Sequence, residues 1–231
     1  MRKLMIVLLL APLCGWAAEA GYRLDSSPHD PDDLVSLQAG ARTFVNYCLG
    51  CHGLESLRYS KLTELGLTEA QIRDYLMFTA DKVGEPIRTV MPRKESKSWF
   101  GVAPPDLSLA ARSRSPDWLY TYLRAFYRDA KTATGWNNAV FENVAMPHAL
   151  WTLQGEHAYD RESGKWTEIA KGLQSPPEYD ATVRDLVNFL VYVGEPAATR
   201  RKLIGIVVLY VLAILFVFTY LLKKEYWKDV K

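Results

Sequence analysis

The sequence predicts a mainly α-helical domain with long loops, followed by a single C-terminal transmembrane helix. Apolar residues recur at helical spacing in several segments, and Pro- and Gly-rich stretches separate those segments. Near the C-terminus, Leu203 to Leu222 is a run of 20 uncharged, mostly apolar residues. At about 1.5 Å per residue, such a run can cross the hydrocarbon core of a bilayer.

Four helices are predicted before the anchor. One covers 34–48, and one opens at the capping box Thr68-Glu69-Ala70-Gln71 and runs to about Thr79. A third begins at Ser115 with Pro116 in its first position, and the last covers 178–193. The connecting segments 81–105 and 135–147 are predicted as loops, and 157–167 as a small β-hairpin.

The N-terminus has the pattern of a secretory signal peptide. Arg2 and Lys3 precede an apolar run that ends at Cys14, and small residues follow at Ala18-Glu19-Ala20. We therefore predict that residues 1–20 are a cleaved signal and that 21–199 form an exported, periplasmic domain. A lipoprotein site at Cys14 is the alternative, but Leu13 is bulky where such sites need a small residue.

Charge is distributed unevenly between the domain and the anchor. Residues 21–199 contain 19 Lys and Arg against 23 Asp and Glu, a net charge of −4, although the whole chain is at +2. The predicted anchor with its basic flanks covers 200–224. Because the two basic clusters nearly balance, the signal peptide decides the orientation, and the tail, 225–231, is predicted to be cytoplasmic. An acidic domain predicts a basic soluble partner and gives no indication of nucleic-acid binding.

The motif Cys48-Leu49-Gly50-Cys51-His52 is typical of covalent c-type haem attachment. Two thiols three residues apart lie on one side of a helical turn and can add to the two vinyl groups, and His52 supplies the proximal iron ligand. After signal removal these are the only cysteines, so no structural disulfide can form. With no second such motif in the chain, the sequence predicts one covalently bound haem c.

Two other interpretations of the motif are weaker. A thioredoxin-like redox pair would need no His52 and would lie in a βαβ pattern, which this sequence lacks. A zinc site would need further Cys or His ligands, and the chain offers only His29, His148 and His157 outside the motif.

The second axial ligand is expected to be a methionine, because a soft thioether favours reduced iron. Met77 lies within a predicted helix and is better explained as a core residue. Met91 and Met146 both lie in loops ahead of a proline. Met146 is favoured because it comes just before the last helix of the domain, predicted over 178–193. His148 remains an alternative ligand.

The order of motifs resembles cytochrome c1, the haem subunit of the quinol:cytochrome c reductase or cytochrome bc1 complex, in a bacterial form. The motifs, in chain order, are CLGCH, Ala103-Pro104-Pro105-Asp106-Leu107-Ser108, Arg112-Ser113-Arg114, Asn143-Val144-Ala145-Met146-Pro147-His148 and Gly194-Glu195-Pro196. The single C-terminal span completes the resemblance. It implies a class I-like cytochrome c domain and a non-catalytic electron-transfer subunit of an enzyme complex in the bacterial inner membrane.

Site residues and partners follow from the same resemblance. It implies thioether links at Cys48 and Cys51, with His52 and Met146 as the axial ligands. It places Arg114 beside a haem propionate, which a guanidinium can bind bidentately, and Trp118 near the haem. The implied partners are cytochrome b, the Rieske iron–sulfur protein, a soluble cytochrome c and the membrane.

A membrane-tethered cytochrome c shuttle, or a haem subunit of a terminal oxidase, is the alternative function. Shuttles of this kind hang from an N-terminal anchor on a flexible linker. Residues 195–202 are too short and too basic to form one.

Overall fold

The described part of this protein, residues 22–229 of a computed structural model, is mainly helical. The predicted signal peptide lies outside these residues. The α-helices are α1 Leu34–Tyr47, α2 Glu69–Tyr75, α3 Arg93–Phe100, α4 Ala110–Arg114, α5 Pro116–Arg124, α6 Trp151–Gln154, α7 Pro176–Gly194 and α8 Ala198–Tyr226, and a 3₁₀ helix covers Tyr59–Leu65. The predicted helical class, with one apolar helix at the C-terminus, is confirmed.

The strands form three small antiparallel pairs. They are β1 Leu54–Arg58 with β2 Pro86–Ile87, β3 Phe126–Arg128 with β4 Trp136–Asn138, and β5 Gly155–Asp160 with β6 Lys165–Lys171. The last pair is the predicted hairpin, and it extends beyond 157–167 at both ends. Its turn contains Gly164 at φ 68°, a conformation that favours glycine.

Helices α1 and α7 cross at the centre of the domain. Helix α1 begins after Asp33, whose carboxylate accepts hydrogen bonds from the amides of Val35 and Ser36 at 3.0 and 3.1 Å. The two helices meet at Gly40, where a Cβ would lie 2.7 Å from Phe189 Cβ and would also overlap the Asp185 carbonyl. A side chain at this position would therefore push the helices apart.

Helix α7 has a complete capping box between Ser175 and Glu178 and begins two residues ahead of the predicted start. The Tyr179 hydroxyl, which is buried, donates a hydrogen bond to the Leu123 carbonyl at 2.8 Å. Because Leu123 belongs to α5 and Tyr179 to α7, this bond fixes α5 on α7. The crossed pair α1 and α7 thus positions α5 as well.

Two predictions about the region 68–105 were wrong. Helix α2 has the predicted capping box but ends at Tyr75, because the backbone leaves helical geometry at Leu76, with φ −129°, and Leu76 and Met77 are buried in the core beyond the helix. The segment 81–105, predicted as loop throughout, contains α3. The eight residues of α3 lie between Pro92, which serves as its N-cap, and Gly101 at φ 78°, so these two breakers bound the helix without interrupting it.

Helix α8 is long and apolar enough to cross a membrane over Arg200–Tyr226, and none of its most apolar window is buried against the domain. Only residues 195–197 separate it from α7. The Glu195 carboxylate accepts a hydrogen bond from Arg112 of α4 at 3.1 Å and also pairs with Arg201 of α8. The junction between the domain and the anchor is therefore short and held by ion pairs.

The contact at Gly40 predicts that Gly40→Ala destabilises the domain by about 1–3 kcal/mol, because overpacking forces the two helices apart. The measurement is the thermal unfolding midpoint of the detergent-solubilised protein. Gly84→Ala is the matched control, since a Cβ there meets nothing within 4 Å. Equal midpoints for the two variants would show that α1 and α7 do not meet closely at Gly40.

Candidate haem site

The motif Cys48 to His52 continues helix α1 by one turn. The Cys48 amide donates to the Phe44 carbonyl at 2.8 Å, and the amides of Cys51 and His52 donate to the Cys48 carbonyl at 2.9 and 2.8 Å. This turn places the two thiols and the imidazole at the wall of one cavity, as the spacing predicted.

The cavity has a volume of about 500 Å³, within the range of cofactor sites. Its walls come from the motif, the segment that follows α3, helices α4, α5 and α7, and the loop ahead of α6. Apolar side chains dominate, among them Leu186 and Leu190 of α7. All six residues predicted to bind the cofactor line this cavity: Cys48, Cys51, His52, Arg114, Trp118 and Met146.

His52 is oriented by the backbone of the Pro-Pro-Asp segment. Its imidazole is 8% exposed, and Nδ1 donates a hydrogen bond to the Pro105 carbonyl at 2.7 Å. A carbonyl can only accept, so this bond assigns the proton to Nδ1 and leaves Nε2 free to bind a metal. Burial lowers the pKa of His52, against the opposing effects of Pro105 and Asp106, and so favours the neutral imidazole that ligation requires.

Asp106 holds the segment that contacts His52. Its carboxylate accepts hydrogen bonds from the amides of Glu55 and Ser108 at 2.8 and 2.9 Å. The Leu107 amide also donates to the Gly53 carbonyl at 2.9 Å. The sequence prediction gave neither Pro105 nor Asp106 a role, because a backbone carbonyl makes the contact with His52 and no residue type indicates it.

Met146 is at the cavity wall, whereas the other candidate ligands are elsewhere. Met77 is buried in the core, and Met91 does not line the cavity. The Tyr122 hydroxyl donates to Met146 Sδ at 3.5 Å, which orients the thioether. Of the three methionines in the described chain, Met146 alone could reach a cofactor in this cavity.

His148 lies behind the cavity, in an aromatic cluster. It is 2% exposed, and its ring stacks on Phe126 at 4.7 Å between centroids, with an edge contact to Trp136 at 5.1 Å. Burial lowers the pKa of His148 to about 3. The cluster accounts for its position as a packed neutral imidazole.

Arg114 and Trp118 are brought to the cavity by a sharp bend between α4 and α5. Ser115 has φ 88°, unusual for a residue other than glycine, and its hydroxyl caps α5 by accepting from the Trp118 amide at 3.2 Å. The Arg114 guanidinium lies 5.2 Å from the Trp118 ring centroid and 5.8 Å from that of Phe141. No carboxylate within residues 22–229 forms an ion pair with it, so its charge is available to a ligand.

The surroundings of the two cysteines differ from those of a redox-active dithiol. Burial raises the pKa of the Cys48 thiol to about 12 and also raises that of Cys51. Redox-active pairs have lowered thiol pKa values. In the described part of the chain, no three His, Cys, Asp or Glu residues are grouped so that they could hold a metal ion. Neither the redox pair nor the zinc site is supported.

The residues at the cavity fit a haem. The cavity is mostly apolar, and its functional groups match the parts of a haem. The two thiols match the vinyl groups, the imidazole nitrogen and the thioether sulfur match the iron, and the guanidinium matches a propionate. His52 is already fixed in the required tautomer by Pro105. This donor set suits haem.

The chain is similar to known proteins along nearly its whole length. A protein of Nitrosomonas europaea named "Ammonia monooxygenase gamma subunit" is 46% identical over 229 residues, covering 99% of this chain and 98% of that protein. The "Cytochrome c1" of Allochromatium vinosum is 46% identical over 243 residues and covers 100% of both. Among solved structures, a chain of "Hyperthermophilic respiratory Complex III" is 16% identical, covers 100% of this chain and 95% of that one, and has a TM-score of 0.49.

The family model that matches spans most of the chain. It is described as "Cytochrome C1 family" and matches residues 26–230, from the start of the domain through the anchor helix. The chain therefore belongs to the cytochrome c1 family.

Proposed function

We propose that this chain is the haem-bearing electron-transfer subunit of the cytochrome bc1 complex, quinol:cytochrome c reductase. The observation that carries the proposal is the convergence of Cys48, Cys51, His52 and Met146 on one apolar cavity. A haem bound there supplies one-electron redox chemistry. The complex is the enzyme, and this subunit makes and breaks no substrate bond.

In this proposal Cys48 and Cys51 form the thioethers of one haem c, and His52 and Met146 are its axial ligands. Pro105 and Asp106 act through His52, because they fix the proton on Nδ1 and the orientation of the ring. Tyr122 acts through Met146, because its hydroxyl donates to the thioether sulfur and orients it. The apolar wall excludes water, which together with the thioether favours the reduced state and a high potential.

Arg114 is proposed to bind a haem propionate. Its guanidinium has no carboxylate partner in the described range, and stacking over Trp118 holds it at the cavity. Such a pair would be partly screened by water, because Arg114 is exposed. Trp118, which stacks on Tyr122 at 4.6 Å between centroids, is proposed to form the neighbouring wall.

The proposed partners are cytochrome b and the Rieske iron–sulfur protein, which donates the electron, and a soluble cytochrome c, which accepts it. Helix α8 supports cytochrome b as a partner, since the exposed apolar surface of the helix can pack beside a larger membrane subunit. The sequence of the N-terminus supports a periplasmic domain on the bacterial inner membrane, with the short C-terminal tail in the cytoplasm.

A tethered shuttle is less well supported. A shuttle needs a flexible linker, and here three residues join α7 to α8, with Glu195 bound to both Arg112 and Arg201. This junction instead fixes the domain on its anchor, as expected for a subunit that receives electrons at a set position in a complex.

The proposal predicts that quinol reduces this haem in native membranes and that inhibitors of the quinol-oxidation site block the reduction. Ending the chain after Lys202 should release a soluble domain that chemical reductants still reduce, while quinol-driven reduction is lost. The measurement is the haem absorbance after quinol addition. Reduction at the full rate with that site blocked would favour the shuttle.

Covalent attachment predicts that acid acetone leaves the haem on the protein. Acid breaks the bonds between the iron and its axial ligands, but the thioether bonds to Cys48 and Cys51 survive. The pigment should migrate with the full-length chain on a denaturing gel. Double replacement Cys48→Ser/Cys51→Ser should abolish this. Extraction of the pigment from the wild-type protein would contradict the thioether assignment.

Ligation by Met146 predicts that Met146→Leu abolishes the visible charge-transfer band of Met-ligated ferric haem and lowers the reduction potential. Spectroscopy and redox titration of the purified protein measure both quantities.

Two variants serve as controls for the methionine experiment. Met91→Leu should leave the band and the potential unchanged. Arg114→Gln should shift the potential, because a propionate loses its cation, but should retain the band. Loss of the band in Met91→Leu and not in Met146→Leu would transfer the ligand role to Met91.

A further inference from the structure

Helix α3 presents a basic surface beside the haem cavity. Of its eight residues only Ser96 is buried, and Arg93, Lys94 and Lys97 are exposed. None of these three cations forms an ion pair with any residue that the structure describes. The single acidic residue of the helix is Glu95. The helix therefore carries a net charge of +2 that the domain itself does not neutralise.

This local charge is opposite to that of the rest of the domain. Residues 86–114 contain six Lys and Arg against two Asp and Glu, a net charge of +4, whereas residues 21–199 as a whole are at −4. Within this segment Arg112 forms an ion pair with Glu195, and Arg88 forms one with Glu55 at 4.0 Å, whereas the cations of α3 have none in the described chain. The remainder of the domain has a net charge of −8, so α3 is a basic surface on an acidic domain.

The part of the cavity wall next to α3 is apolar and exposed. Phe100 at the end of α3 lines the cavity, as do Val102 and Leu109, which are both 57% exposed. Trp99 is 60% exposed beside them. An apolar centre with charges around it and an exposed Trp is typical of a protein-docking surface.

We propose that the α3 surface, defined as Arg93, Lys94, Lys97, Trp99, Val102 and Leu109, docks an acidic soluble redox protein beside the haem cavity. The inference rests on the proposed function and specifies the charge of its soluble partner. It differs from the basic partner expected from the net charge of the domain, because the charge on α3 has the opposite sign.

Charge complementarity is the reason for an acidic partner. A partner of negative charge is attracted to α3 and repelled by the acidic remainder of the domain, so this difference in charge both attracts and orients it. A basic partner would be drawn to acidic surfaces instead. Docking on the α3 surface brings the partner's redox centre to the exposed cavity residues Val102 and Leu109.

The test compares two probes that differ only in charge: a basic soluble cytochrome c, and the same protein with its lysines succinylated. Binding of each to the purified native complex in detergent is measured by isothermal titration calorimetry at low and high salt. We expect the succinylated probe to bind at least about tenfold more tightly at low salt, and this difference to vanish at high salt. Equal binding, or tighter binding of the basic probe, would overturn the inference.

Charge reversal on α3 identifies the surface. Lys94→Glu/Lys97→Glu should weaken binding of the succinylated probe at least about tenfold at low salt. Lys165→Glu/Lys171→Glu changes the charge equally on the exposed strand β6, outside the cavity wall, and should alter it less than about twofold. Trp99→Ala should weaken binding at high salt as well. Equal loss in both charge-reversed variants would overturn the assignment to α3.

Two further measurements separate the remaining outcomes. Flotation of the complex with vesicles of anionic phosphatidylglycerol tests a lipid surface as the ligand. Vesicle binding that depends on Lys94 and Lys97, while probe binding does not, would overturn the proposal in favour of a membrane contact. Quinol-driven reduction of the haem, measured without probe, tests the proposed function alone. If it occurs and the probe preference is reversed, only the further inference fails.

Discussion

The hydrogen bond from His52 Nδ1 to the Pro105 carbonyl is the interaction on which the site depends. It joins two segments 53 residues apart in the chain, the turn after α1 and the segment held by Asp106. Without it, the imidazole could rotate, and Nε2 would no longer be presented to the cavity. The bond therefore gives the imidazole of a local sequence motif one tautomer and one direction, as a metal ligand would need.

The rest of the domain supports that bond through the crossing of α1 and α7. Gly40 allows the close approach, and α7 then carries Leu186 and Leu190 to the cavity wall and holds α5 through Tyr179. Helix α5 in turn brings Trp118 and Tyr122 to the site. A haem domain without structural disulfides can be stable in this way, because the cofactor completes the apolar core that the helices leave open.

Electrostatics at two scales have separate roles. Within the site, the predicted ligands are uncharged and the wall is mostly apolar, while Arg114 is a cation that forms no ion pair with the described residues, which suits a group with an anionic edge. On the surface, the domain as a whole has a negative net charge, whereas α3 has a positive one, so a charged partner is attracted to one of these surfaces and repelled by the other. Net charge alone is a poor guide to partners, because a partner is oriented by the charges nearest the point of contact.

The sequence by itself determined the features that depend on neighbours in the chain. The attachment motif, the capping box at Thr68, the hairpin and the apolar anchor are local signals, and each led to a correct prediction of an element's start or type, or of the family. The six residues predicted to bind the cofactor were also named from sequence, three from the attachment motif and three, Met146, Arg114 and Trp118, with the family resemblance, and all six line one cavity.

Only the tertiary structure decided which distant residues meet. Met91, Met146 and His148 have similar local contexts, and packing alone separates the cavity wall from the aromatic cluster around His148. The carbonyl of Pro105 has no side-chain signature, so its bond to His52 could not be predicted. Helix α3 was missed because its flanking breakers resemble those of a loop. Its positive charge could be interpreted only once the structure placed the helix beside the cavity, since burial and electrostatic contact depend on separation in space and not along the chain.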